Sequence, residues 1–353
     1  MKISNTIKVN LLVLFLGVLF IEVFFGHWFS SHSFGPYMRE HRMKKTSQII
    51  KFDNKEYKFI YERNYNGFRH KKIKPSDIQA VIMGGSATEE KYKPIEFTIA
   101  GLLNTYLKSA NFNFEIINAS IWGQSTFGHI SNFTTWFNKL KDFKPKLYIF
   151  HIGIGDSFVG DRKIEKKIGK DGDVKNPDKV EVIFDYFKNN SFFYDKARLL
   201  KQKYYLSENK VTQDMNFFRN FDRNNYNYIN YDQALKIHNI EKLKKKYKIE
   251  IENYLYRVDF LVYLVEKNDG HPIFINQVKF DGLKDEILFI LNYSLIEHCK
   301  INKINCIDSA KLINGKFEFW YDATHSTIIG SEVIAKSIIG ELINILRNNK
   351  ILN

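Results

Sequence analysis

Residues 78–89, Ile78-Gln79-Ala80-Val81-Ile82-Met83-Gly84-Gly85-Ser86-Ala87-Thr88-Glu89, say more about the fold than any other segment. A short, nearly continuous apolar run that stops at two glycines is the pattern of a buried strand feeding a sharp turn. The unit recurs on both sides. Pro94–Ala110 reads as a helix, Phe114–Ala119 (FEIINA) as a strand, Thr126–Phe143 as a helix and Leu147–Ile152 (LYIFHI) as a strand. Further on come a long helix near Ile240–Asn268, a strand Pro272–Val278 (PIFINQV), a helix Lys284–Cys299, a strand Asn305–Asp308 and a terminal helix Gly330–Asn348. Such alternation predicts an α/β fold with a parallel sheet covered on both faces. Sites in these sheets form beyond the carboxyl ends of the strands.

Outward from this core, Leu11–Phe29 (LLVLFLGVLFIEVFFGHWF) is about 19 residues long, roughly 28 Å as a helix, against a hydrocarbon core of roughly 30 Å. Lys2 and Lys8 precede it, so the positive-inside rule keeps the N-terminus in the cytoplasm and sends the remainder across. Trp28 and Phe29 fall at the outer interface. Glu22 reads as a snorkelling group in the outer half of the span. A cleaved signal peptide competes with an uncleaved anchor, but the apolar run is long for a signal and no small-x-small site follows it. The expected organisation is a cytoplasmic tip and anchor over 1–30, a stem over 31–76, and one domain over 77–348. That domain carries an insertion or cap at about 157–239, where the alternation lapses into Lys-, Asn- and Tyr-rich sequence.

Composition bounds the rest. The 353 residues are 44 % hydrophobic and 16 % aromatic, which excludes wholesale disorder, and six Pro with 19 Gly exclude a collagenous chain. Lys and Arg number 53 against 39 Asp and Glu, a formal charge of +14. The charge is spread along the chain, so nucleic acid is not an expected partner; anionic lipid or acidic glycan fits an exported domain better. Two Cys are too few for a structural zinc site, and neither a metal nor a cofactor is expected. Cys299 and Cys306 are candidates for a disulfide whose geometry the sequence leaves open. His70, His129, His151 and His271 are scattered and read as packed or surface residues. Glu241 to Lys248 reads as a solvated helix face, or as one facing lipid headgroups.

Two loops carry chemistry. The Gly84-Gly85 turn leaves the Ser86 hydroxyl at a strand end, an arrangement suited to a nucleophile and equally to a phosphate-binding loop. Near the C-terminus, Trp320-Tyr321-Asp322-Ala323-Thr324-His325 sets an Asp three residues before a His. The carboxylate can then fix the imidazole tautomer and leave the other ring nitrogen as a base; a helix cap with an incidental His is the plainer alternative.

Taken together, these segments resemble the GDSL-like, or SGNH, hydrolase family, whose motif blocks occur in this order. Gly84-Gly85-Ser86-Ala87-Thr88 is similar to a Gly-Gly-Ser-x-Thr variant of the first block. Asn118-Ala119-Ser120-Ile121-Trp122-Gly123-Gln124-Ser125 fits the second, Gly153-Ile154-Gly155-Asp156 the third, and Asp322 with His325 the last. Asn66-Gly67-Phe68-Arg69 looks like an element that precedes the domain in anchored members. The resemblance covers about residues 60–345 apart from the insertion. It implies a three-layer α/β/α sandwich with a flavodoxin-like parallel sheet, preceded here by one transmembrane helix. It also implies a Ser86–His325–Asp322 triad and an oxyanion hole from the Ser86 and Gly123 N–H groups. Gly155 stands where the family has its oxyanion Asn, so that donor is absent; Gln124 and Asn276 are the candidate side chains for its place. Asp156 is expected to orient the third loop.

The function implied is a membrane-tethered serine esterase outside the cytoplasmic membrane, removing O-acyl groups, acetyl among them, from a cell-surface glycan. The alternatives are an O-acyltransferase with the same triad, its insertion serving as a lid against water, and a weakened glycan-binding or assembly protein on the same fold. Oligomeric state is not readable.

Overall fold

A computed structural model describes residues 5–26, 28, 29, 44–159, 179–197, 200, 213–215 and 226–352. Lys2, the first part of the expected stem and much of the expected insertion lie outside the described residues. The strands are β1 (Lys44–Phe52), β2 (Lys55–Arg63), β3 (Ala80–Gly84), β4 (Ile116–Asn118), β5 (Leu147–Ile152), β6 (Gln213–Asp214), β7 (His271–Asn276) and β8 (Asn305–Ile307).

Five of them form one sheet in the order β4-β3-β5-β7-β8, every neighbouring pair parallel. Counted from β3, this is the flavodoxin-like 2-1-3-4-5 order, which opens a crevice at the carboxyl ends of β3 and β5. Side chains alternate across the sheet. Ala80, Ile82, Leu147, Ile149, Ile273 and Ile275 enter one core with helices Ile99–Ser109 and Ile328–Asn348. Val81, Met83, Tyr148, Phe150 and Phe274 enter the other with Phe133, Tyr254, Val258 and Leu261 of helices Thr126–Thr135 and Lys248–Lys267. Both faces are buried, as the apolar strands require.

Several elements differ from the sequence reading. Residues 44–63 are not stem: β1 and β2 pair antiparallel from Lys44↔Arg63 to Phe52↔Lys55. Asp53 and Asn54 make the turn at φ of 50° and 59°, the left-handed pair that two-residue hairpins favour. β6, within the expected insertion, adds to β1 in parallel. The insertion also ends earlier than expected, because Tyr226 and Tyr228 already hydrogen-bond the Phe280 and Ile313 carbonyls of the domain. The helix expected over Ile240–Asn268 breaks at Tyr247 into Ile240–Lys246 and Lys248–Lys267. Cys299 and Cys306 are joined, their Cα atoms 6.1 Å apart; the left-handed cap at Lys303 turns the chain back so that helix end and β8 meet. Asn5–Phe25 is one helix of 21 residues, none buried, long and apolar enough to cross a membrane.

His129 and His151 are packed inside. Burial pushes each imidazole from its ordinary 6.5 down to about 3. The unfolded chain therefore binds more protons between these values, so stability rises with pH across that window and is lost as pH falls below about 6.5, by up to about 1.4 kcal/mol per pH unit for each histidine. Denaturant midpoints of the detergent-solubilised chain should drop between about pH 7 and 5, and His129→Leu should shrink that drop. An equal drop in the variant would show that His129 is not the group being titrated.

Candidate active site

Four loops meet at the carboxyl end of the sheet. Ser86 follows β3 and opens a helical turn, Ser86–Glu89, after Gly85. A backbone N–H at a first helical position has no acceptor within the helix, which suits Ser86 N–H to an oxyanion. His325 Nε2 lies 2.8 Å from Ser86 Oγ, although the residues are 239 positions apart. The other ring nitrogen, Nδ1, lies 2.7 Å from Asp322 Oδ2. A carboxylate only accepts, so Nδ1 carries the proton and Nε2 is the acceptor for the serine hydroxyl. Asp322 is fixed in turn by the backbone N–H groups of Thr324 and His325, each at 2.8 Å. Burial pushes its carboxyl up, but the His325 ring and those two N–H groups outweigh burial and hold it below its ordinary value. The imidazole lies between two aromatic rings, stacked on Tyr321 at 5.6 Å and tilted beside Trp122 at 5.4 Å.

The second and third loops approach backbone to backbone. Gly123 sits at φ 77°, a conformation that favours glycine. The next carbonyl, that of Gln124, is wedged between the first and third loops. A Cβ on Gly85 would lie 2.9 Å from that oxygen and a Cβ on Gly155 2.5 Å from it. The absence of Asn at 155 thus has a steric cause: no side chain fits while the Gln124 carbonyl stays. Both candidate substitutes are engaged elsewhere. The Gln124 and Asn132 amides bond each other at 2.9 and 3.1 Å. Asn276 donates to Asp308 Oδ1 and accepts from Ala310 N–H. Asp156, expected to orient the third loop, links it to the helix after the second, accepting from Thr126 N–H and Oγ1 at 3.1 and 2.6 Å, with Arg257 3.6 Å away.

Beneath the Ser86 loop lies a buried charged lattice that sequence reasoning missed. Glu89 accepts from the Tyr61 hydroxyl and, at 3.1 Å, from Arg63 Nη1. Arg69 donates to the carbonyls of Glu89, Glu90 and Lys93. Lys93, fully buried, donates to Glu90 Oε1 at 2.6 Å, to Ser326 Oγ at 2.9 Å and to Ser331 Oγ. Ser326 adjoins His325, so one ammonium bridges the loop that follows Ser86 and the loop that carries His325. In the sequence, Glu89-Glu90-Lys91-Tyr92-Lys93 has the look of a solvated charge run; only Arg69, within Asn66-Gly67-Phe68-Arg69, carried a signal. Of the scattered histidines, His70 pairs with Glu115 at 3.5 Å, and no cluster of metal-ligating side chains occurs among the described residues.

No family model matches the chain, and no curated protein sequence matches it. Among solved structures it is similar to the psychrotrophic esterase EstA from Pseudoalteromonas sp., with 10 % identity over 76 % of this chain and 99 % of that one and a TM-score of 0.42. An acetylxylan esterase from Geobacillus stearothermophilus gives 11 %, 77 %, 96 % and 0.41. A GDSL-like lipase from Bacteroides thetaiotaomicron gives 13 %, 76 %, 90 % and 0.37. What this site can do chemically follows from its own geometry.

Two substitutions test that geometry. Lys93→Met strands the Glu90 carboxylate in the interior and should cost about 3–5 kcal/mol, most of it regained in the Lys93→Met/Glu90→Gln double variant. Equal denaturation midpoints for the single variant and the unaltered chain would remove the lattice from the account. Gly155→Asn, which restores the expected amide, should instead lower stability by about 1–3 kcal/mol by overpacking against Gln124. A variant as stable as the unaltered chain would show that the loops yield.

Proposed function

We propose that the chain is a membrane-tethered serine esterase that removes O-acyl groups, acetyl the simplest, from a cell-surface glycan. The observation that carries this reading is the unbroken chain of hydrogen bonds from Ser86 Oγ through His325 to Asp322, at 2.8 and 2.7 Å. His325 takes the serine proton as Oγ attacks the ester carbonyl, and Asp322 stabilises the imidazolium. Ser86 and Gly123 N–H donate to the tetrahedral oxyanion. The imidazolium then returns its proton to the leaving alcohol, and water, deprotonated by His325, releases the acyl group. With Gly155 in place of an amide donor, the hole is short of one hydrogen bond, which elsewhere slows turnover about 10²–10³-fold without abolishing it.

The apolar helix Asn5–Phe25 supports a single-pass anchor in the cytoplasmic membrane, N-terminus inside and domain in the periplasm or its extracytoplasmic equivalent. Trp122, 43 % exposed beside His325, offers a flat apolar face for the sugar that carries the ester. The block order and the resemblance to GDSL-like hydrolases point the same way.

Hydrolysis of a chromogenic acetyl ester by the purified chain, compared with Ser86→Ala, tests the proposal. Activity should fall by about 10³-fold or more in the variant, and a fluorophosphonate should label only the unaltered serine. Absence of both signals would leave a non-enzymatic protein. Adding an acceptor sugar and weighing the product separates transfer to water from transfer to a hydroxyl.

A further inference from the structure

Glu22 is not the snorkelling group expected within the span. Its carboxylate accepts from Ser191 Oγ at 2.6 Å, from the backbone N–H groups of Phe192 and Phe193 at 2.9 and 3.3 Å, and from the Trp28 indole at 3.2 Å. It thereby caps the helical residues 192–197, which follow helix Lys179–Asn190. Aromatic contacts close the joint: Trp28 lies 5.8 Å from Tyr186 and 5.2 Å from Phe187, and Phe25 lies 5.8 Å from Phe192. The two segments are therefore held at the level of the last turn of the apolar helix, where a spanning helix reaches the boundary between acyl chains and headgroups.

At that level helix Lys179–Asn190 leaves Ile183, Phe184 and Phe187 57 %, 59 % and 54 % exposed. Their spacing of one, three and four positions puts them on one helical face. Lys196 keeps its ammonium 5.1 Å from the Phe192 ring, as a lysine does when its stem lies on apolar surface and its charge reaches outward. An exposed apolar face fixed at a bilayer boundary has lipid as its neighbour.

We propose that residues 179–197 form a second, in-plane membrane contact, latched to the transmembrane helix by Glu22 and inserting Ile183, Phe184 and Phe187 into the outer leaflet of the same bilayer. This inference rests on the reading of Asn5–Phe25 as a membrane span.

The test uses the full chain in nanodiscs of phosphatidylethanolamine and phosphatidylglycerol. Nitroxide labels are attached one at a time through Ile183→Cys, Phe184→Cys, Phe187→Cys and Leu14→Cys; the native cysteines, joined to each other, do not compete. Collision with lipid-soluble oxygen and with water-soluble nickel chelate is then read by electron paramagnetic resonance. Labels at 183, 184 and 187 should favour oxygen over nickel several-fold, and adding Glu22→Ala should bring their ratios toward those of a water-exposed site. Nickel access at all three positions while position 14 stays in lipid overturns the in-plane contact and leaves the anchor standing. Protection from both reagents also overturns it, showing protein cover in place of lipid. Nickel access at position 14 overturns the anchor itself, and unchanged ratios in Glu22→Ala overturn the latch.

Discussion

The ion pair between Lys93 and Glu90 is the constraint on which the site depends. An ammonium with no access to water must be matched by a carboxylate and filled out by hydrogen bonds, or the fold loses several kcal/mol. Lys93 finds its carboxylate on the loop after β3 and its hydroxyls, Ser326 and Ser331, on the loop and helix at the far end of the chain. Satisfying the charge and joining Ser86 to His325 are therefore the same event. Glu90 adopts a left-handed backbone at φ 53°, a conformation unfavourable for a non-glycine residue. The bonds to its side chain and carbonyl over-determine it, so strain close to Ser86 in sequence is held by charge.

Backbone contact supplies the complementary constraint. The carbonyl of Gln124 fills the space that side chains at 85 and 155 would need, so the first three loops are locked at closest approach before any substrate arrives. Under the proposed mechanism, an oxyanion hole made of backbone N–H groups gains from this, since its donors need no reorganisation. The same closeness excludes a side-chain donor at 155. A tighter backbone frame and a third donor are alternatives here, and this chain has the former.

The sheet was legible because each strand is buried on both faces and so reads as an apolar run; IQAVIM, LYIFHI and PIFINQV admit little else. Ser86 was legible because Gly-Gly-Ser follows an apolar strand directly, and Asp322 with His325 because an Asp three positions before a His can reach its ring. Residues whose meaning lies in distant partners were not. Nothing local distinguishes Lys93, wholly buried, from Lys91 two positions earlier, and Glu22 is unreadable until Ser191, 169 positions on, comes beside it. The hairpin was a different failure. KEYKFIYER alternates with a period of two at Tyr57, Phe59 and Tyr61 and follows Asp-Asn, a strand and turn signature obscured by the density of lysine and by the irregular KKTSQIIKF before it.

That hairpin changes where the folding unit begins. Tyr61 and Arg63, on β2, reach the Glu89 carboxylate directly below Ser86, and Arg63 also donates to the Ser120 carbonyl of the second loop at 3.0 Å. Arg69 satisfies the carbonyls that the left-handed turn at Glu90 leaves without helical partners. A domain starting at residue 77 would lack both arginines while keeping Glu89 and Glu90 in its interior, an arrangement that burial of charge disfavours strongly. Residues 44–69 therefore pack with the domain, as the foundation of the Ser86 loop. Arg63, Arg69 and Lys93 are thereby accounted for by the fold itself.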